Sequence, residues 1–221
     1  MPIFKTSKAR ENILSKIRKE LVNSATPMPY PESETESTGL FTTDHSLSTP
    51  EIFAQAFQQI GGKFVYCDDT HELIENLCLL QDKFGWKSIA CNSEPMLKLF
   101  EANQIDILHP ITQPSGSADA CFTDCELLVA RTGSVLVSSS LNFGRTSSVY
   151  YPVHIVFAYA DQLVSDISSA IGVLNKKYNN NLPSMLSLVT GPSRTADIEK
   201  TLVVGVHGPC EIFCLYVNNE F

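Results

Sequence analysis

Two loops near the C-terminus gather the side chains best suited to chemistry. Gly191-Pro192-Ser193-Arg194-Thr195 and Gly205-Val206-His207-Gly208-Pro209 carry a guanidinium, hydroxyls and an imidazole, with Asp197 and Glu199 between them. Apolar runs flank both loops, and a rigid scaffold on either side is how loops come to position functional groups. Glycine allows the backbone close to a ligand, and proline stiffens the loop. Gly191, Ser193, Arg194 and Thr195, with Gly208 of the second loop, would make an anion site. A guanidinium grips a carboxylate or phosphate bidentately, and loop amides add directed donors. His207, flanked by Gly208, is the candidate general acid or base; the alternative is an imidazole bonded to backbone to fix its loop. Asp197 and Glu199 either orient Arg194 and His207 or sit as acids in the first turn of a helix. Asp197 is therefore a catalytic candidate beside His207, and Glu199 a ligand-binding one. An Arg194–Asp197 surface ion pair is the structural alternative for those two residues.

Upstream, Thr132-Gly133-Ser134 sits in a tight connection between two short apolar runs, Leu127–Ala130 and Val135–Ser138. That pattern predicts a hairpin or a loop at a sheet edge, and its glycine and hydroxyls would extend the ligand-binding set if they reach the same edge. His154 lies inside the apolar run Val153–Ala158 and reads as a satisfied core residue.

The elements that must hold these loops alternate. Ser48-Thr49-Pro50-Glu51 opens a helix, with a hydroxyl N-cap, proline in the first turn and an acid beside it. Phe53, Phe57 and Ile60 give its core stripe, and Gly61-Gly62 end it. Short apolar strands follow at Lys63–Cys67, Lys87–Cys91 and Ile105–Leu108, separated by helices that start at Asp69-x-x-Glu72 and Ser93-Glu94-Pro95. The rhythm changes after Pro110. A buried strand at Val153–Ala158, a helix beginning at Asp161, a strand at Met185–Val189 and a last strand after Pro209 complete the order. Alternation of this kind predicts an α/β fold with a mainly parallel sheet flanked by helices and a β-rich insertion. In such sheets ligands gather at the carboxyl ends of strands. Before this domain, spanning residues 49–221, residues 1–24 read as an amphipathic helix with Ile13, Ile17 and Leu21 on one side. Residues 25–48, rich in Pro, Ser, Thr and Glu, read as a linker or extended arm.

The loop sequences carry a resemblance. Gly191-Pro192-Ser193-Arg194-Thr195-Ala196-Asp197-Ile198-Glu199, followed by Val206-His207-Gly208-Pro209, resembles the C-terminal motif of the LUD domain family, the lactate utilization protein C group. Thr123-x-Cys125-x-x-x-Val129-Ala130-Arg131-Thr132-Gly133-Ser134 resembles the family's T-x-A-x-x-x-I-A-E-T-G-S run. Cys125 replaces alanine there, and Arg131 replaces a glutamate with the opposite charge, so any role of that glutamate does not transfer. The resemblance implies a fold like that of sugar-phosphate isomerases and coenzyme A transferases. It also implies a part in oxidising L-lactate to pyruvate, beside iron–sulfur oxidoreductase subunits. On that reading this chain is a non-redox subunit that binds a small carboxylate or phosphate or docks its redox partners. The alternatives are a stand-alone transferase or isomerase acting on an acyl-coenzyme A or sugar phosphate, and a structural assembly factor.

Composition narrows the classes. The 221 residues are 43% hydrophobic and 18% charged, which suits one globular domain. A net charge of −8 opposes nucleic-acid binding, which rests on cationic contacts to phosphates. No apolar run approaches the ~18 residues of a spanning helix, and no apolar h-region follows the charged N-terminus, so a cytoplasmic location is expected. The seven cysteines form no C-x-x-C pair. Cys210 and Cys214, on a strand, would sit ~13 Å apart at ~3.3 Å per residue, too far to share a metal. Cys121 and Cys125 would meet only on a helical turn. No metal is assigned. With no clustered-cysteine motif, no P-loop and no G-x-G-x-x-G, no cofactor is expected in this chain, and iron–sulfur clusters are expected in partner subunits.

Overall fold

The computed structural model describes residues 8–23, 46–91, 93–111, 118–141, 147–196 and 202–218. The chain divides into two units, Met1–Thr42 and Thr43–Phe221. In the first, α1 (Lys8–Asn23) presents Ile13 and Ile17 to solvent. The linker reading covers residues 25–48, of which 25–45 lie outside the described residues. Among the described residues, no helix is long and apolar enough to cross a membrane.

The second unit begins with α2 (Thr49–Gln59), where the Glu51 carboxylate accepts from the Ser48 backbone N–H at 2.7 Å, as the opening sequence demands. Its buried Phe53 and Phe57 stack with ring centroids 5.3 Å apart. Then come β1 (Lys63–Cys67), α3 (Thr70–Phe84), β2 (Ile89–Cys91), α4 (Glu94–Ala102), β3 (Leu108–Pro110) and β4 (Ala120–Thr123). Asp69 caps α3 by accepting from the Glu72 N–H at 2.9 Å. The third strand lies at Leu108–Pro110, three residues later than its apolar run suggested, because pairing with β2 selects those residues.

The hairpin expected around Thr132-Gly133-Ser134 is present. β5 (Leu127–Val129) pairs antiparallel with β6 (Ser134–Ser138) across a 3-10 turn at Ala130–Thr132. After the short helix α5 (Ser147–Tyr150) come β7 (Val153–Tyr159), β8 (Leu163–Val164), α6 (Ile167–Lys177), β9 (Leu186–Val189), β10 (Arg194–Ala196), β11 (Leu202–Val204) and β12 (Glu211–Val217). The helix expected at Asp161 therefore starts later. Leu163 and Val164 pair with β5 instead, and Asp166 provides the cap, accepting from the Ser169 N–H at 2.8 Å. Cys121 lies within β4 and Cys125 in the loop beyond it, so the helical turn that would have joined their sulfurs does not form.

A six-stranded parallel sheet, ordered β1-β12-β7-β4-β2-β3, is the centre of the fold. Strand alternation sends its side chains into two cores. Phe122, Ile155, Phe213 and Leu215 pack with Leu73 and Leu77 of α3 and Met96 and Phe100 of α4. Val156, Ala158, Ile212 and Cys214 pack on the other face with α2 and with Leu128, Val135 and Val137 of the smaller sheet β8-β5-β6-β9. α6 covers the outer side of that smaller sheet through Ala170 and Leu174.

Candidate functional site

The two Gly/Pro loops do come together. The Ser193 N–H donates to Pro209 O and the Gly205 N–H to Ser193 O, both at 2.9 Å, and a Cβ on Gly208 would lie 3.0 Å from the Ser193 Cβ. They meet, however, at the amino edge of the large sheet. Cys210 N bonds Pro152 O at 2.8 Å, just before β12 and β7 begin. A segment that precedes a parallel strand lies at that strand's amino end, opposite the edge where such sheets place ligands. Met185–Val189, expected to lead a ligand loop off that sheet, contributes β9 to the smaller one.

Arg194 has a specific partner there. Its Nη2 donates to Ile60 O at 2.6 Å, and Ile60 is the C-cap of α2. A cation at a helix C-terminus satisfies an orphan carbonyl and opposes the negative end of the dipole. Gly191, at φ 87°, comes so close to the same carbonyl that a Cβ would sit 2.6 Å from Ile60 O. Gly133, at φ 59°, is pressed on α2 as well, its hypothetical Cβ 2.4 Å from Phe57 N. The Ser134 hydroxyl lies 2.8 Å from the Thr132 hydroxyl and 2.9 Å from that of Thr190, beside Gly191. Gly133, Gly191 and Arg194 thus converge on α2, with the hydroxyls of Thr132 and Ser134 bonded to each other beside them. Thr195 belongs to β10 and pairs with Val203. His207 is exposed on the wall of a cleft of about 530 Å³ that also includes Tyr150, Pro152 and Cys210. Asp197 and Glu199 lie outside the described residues.

At the carboxyl edge the topology makes a second cleft. The chain leaves β2 into α4 on one face, and leaves its neighbour β4 towards β5 on the other. Adjacent strands whose continuations part in this way open the crevice where doubly wound sheets bind ligands. A cleft of about 500 Å³ lies there, with Ser93 and Met96 from the start of α4, Asp124 and Glu126 after β4, Gln162 after β7 and Lys177 on α6 among its walls.

The polar walls are held firmly. The buried Glu126 carboxylate accepts from Lys177 Nζ at 2.7 Å and from the Tyr178 hydroxyl at 2.6 Å, and the Ser138 hydroxyl also donates to it. Burial alone would raise its pKa, but these three donors outweigh it and hold the carboxyl below the usual range. The Gln162 amide clamps the loop to the end of β7, donating to Cys125 O at 2.7 Å and accepting from the Tyr159 N–H at 2.8 Å. Asp124 differs. Its Oδ1 is buried without a hydrogen-bond partner, and burial raises its pKa, with Glu126 adding to the rise and its own N–H and Lys177 opposing it. Within the large sheet, Thr123 Oγ1 and His154 Nε2 lie 2.8 Å apart, and burial lowers the His154 pKa to about 4. His154 is therefore a neutral core residue.

Asp124, Glu126, Gln162 and Lys177 were missed by reading residues along the chain. One signal was available: the acids of Thr123-Asp124-Cys125-Glu126 follow directly on a buried apolar strand, inside the motif that carried the resemblance.

A profile of the LUD domain matches residues 4–217. The chain belongs to the LUD domain family. The lactate utilization protein C of Bacillus subtilis is 33% identical over 105 residues, covering 47% of this chain and 44% of that protein. The protein of the same name from Bacillus licheniformis is 33% identical over 110 residues, 49% of this chain and 46% of that one. An uncharacterised protein of Neisseria meningitidis is 34% identical over 99 residues, 45% of this chain and 42% of that one. The chain spans about half the length of the curated relatives it matches. The crystal structure of a DUF162 family protein from Deinococcus radiodurans superposes with a TM-score of 0.56 at 18% identity, covering 78% of this chain and 99% of that one. That likeness supports the α/β fold.

Proposed function

We propose that this LUD domain is a cytoplasmic, non-redox component of a lactate-utilisation system. The system would oxidise L-lactate to pyruvate and pass the electrons to iron–sulfur clusters in partner subunits. The role of this chain would be to bind a small carboxylate and dock the subunits that act on it. What carries the reading is the family membership, with relatives named lactate utilization protein C. The cleft between β2 and β4 supplies the place for the ligand. It has the topology of a ligand crevice, a size within the usual ~300–1,000 Å³ range, apolar walls and a few convergent polar groups. The Gly191–Thr195 loop is the weaker location, because Arg194 is engaged by α2 at the opposite edge.

Deletion of this chain from its native cell tests the proposal. Growth on L-lactate as sole carbon source should be lost, and should return with the chain supplied in trans. The tagged chain should co-purify with iron–sulfur subunits. Undiminished growth on L-lactate would contradict it.

A further inference from the structure

We propose that α1 is a surface anchor, an amphipathic helix that lies along an anionic lipid bilayer with Ile13 and Ile17 inserted and its cations on the headgroups. This goes beyond the reading above and uses none of the residues of the cleft between β2 and β4. Ile13 and Ile17 stand about one turn apart on α1, 58% and 48% exposed, with Leu14 partly buried beside them. By spacing, Leu21 continues the same stripe. Apolar side chains left in water in register on one helix face mark an interaction surface. Lys16 and Arg18 come one residue before and after Ile17, about 100° round the helix on either side of it. They edge the stripe on both margins, while Lys8 and Lys19 fall on the opposite side.

Charge names the partner. Lys8–Asn23 carries five cations against two carboxylates, in a chain whose net charge is −8. A basic amphipathic helix binds where negative charge and apolar depth lie in one plane, as at the headgroup–acyl boundary of an anionic bilayer. Such a surface meets the stripe and both charged margins at once. A protein groove would need an acid on each wall, matched to Lys16 and to Arg18. The long stems of these two residues can lie along the apolar boundary with their charges among the headgroups. Because α1 is not long and apolar enough to cross a membrane, it would lie in the interface. The acidic remainder of the chain is repelled by the same lipid. Residues 24–48 can span up to ~3.5 Å each, in all several times the Debye length of ~8 Å, which is far enough to screen that repulsion.

The experiment floats the full chain with vesicles of phosphatidylcholine, and with vesicles of phosphatidylcholine mixed with phosphatidylglycerol. Binding is expected to the mixed vesicles alone, and should weaken as added salt shortens the Debye length. Each cation near an anionic leaflet is worth about fivefold in partition, so Lys16→Gln with Arg18→Gln should lower binding roughly twentyfold to thirtyfold. Ile13→Gln with Ile17→Gln, which keeps the charges, should lower it by about tenfold or more. All four side chains are exposed, and thermal melts confirm that the variants fold as the wild type does. Equal binding to the two kinds of vesicle overturns the inference. So does binding to the mixed vesicles that the isoleucine pair leaves unchanged, since charge alone then explains it. A helix that serves an acidic protein groove instead would leave both kinds of vesicle unbound, and that result overturns the inference too.

Discussion

Arg194 donates from Nη2 to the carbonyl of Ile60 at 2.6 Å, so the most prominent cation of the C-terminal motif is spent on the end of α2. This bond ties the loop after β9 to the helix that precedes β1. Arg194→Ala should therefore lower stability by about 1–2 kcal/mol, the worth of a charge-assisted bond at an exposed helix end. Carboxylate binding should be unchanged. Denaturant melts and a ligand titration on the same variant check both. Unchanged stability with lost binding would return the anion site to the Gly191–Thr195 loop.

Glu126 and Lys177 lie 2.7 Å apart, with the Glu126 side chain fully buried and that of Lys177 51% exposed. Removing one partner of a buried pair costs ~3–5 kcal/mol. The exposure of Lys177 reduces this, and Glu126→Ala should destabilise by about 2–3 kcal/mol. Because the folded pKa of Glu126 is depressed, its stabilisation is present above its unfolded value and is lost as pH falls through the folded one. Stability of the wild type should thus fall below about pH 4.3, and Glu126→Gln should lack that part of the decline. Identical acid profiles would contradict the assignment.

His154 contributes over a different window. Its folded pKa is lowered to about 4, so between its unfolded value of ~6.5 and that point the unfolded chain binds the extra proton. Stability should fall as pH drops from about 6.5 to 4, by up to about 3 kcal/mol. His154→Leu should flatten that interval in urea melts taken across it. A slope unaltered by the substitution would show that His154 is not the group responsible.

Two glycines with the same backbone sign should respond differently to alanine. At Gly85, φ is 65° and a Cβ meets nothing within 4 Å, so only the left-handed penalty of about 1 kcal/mol applies. At Gly133 the Cβ would also strike the backbone of Ala56 and Phe57. Gly133→Ala should cost about 2–5 kcal/mol through strain and displacement of α2. Comparable losses at the two positions would mean that α2 is not seated as described.

Local elements were largely legible in the sequence. The start of α2 at Ser48-Thr49-Pro50-Glu51, the Asp69 cap and the hairpin through Gly133 each rest on residues within a few positions of one another, where side-chain chemistry decides. α6 was expected to begin at Asp161, but Leu163 and Val164 pair with β5 instead, a tertiary contact that local pattern does not carry. The site was harder still. Ser93, Asp124, Gln162 and Lys177 are neighbours only through the strand order, which periodicity does not encode. Strand order also sets the edge on which His207 lies. The loops drew attention by composition, yet in the fold they brace α2 and one another.

The central claim is that the ligand enters between β2 and β4, and a 15N chemical-shift map during titration with L-lactate and pyruvate tests it most directly. Saturable shifts are predicted at Ser93, Asp124, Gln162 and Lys177, with Ser193, Arg194 and His207 unmoved. Saturable shifts confined to Ser193, Arg194 and His207 would contradict it.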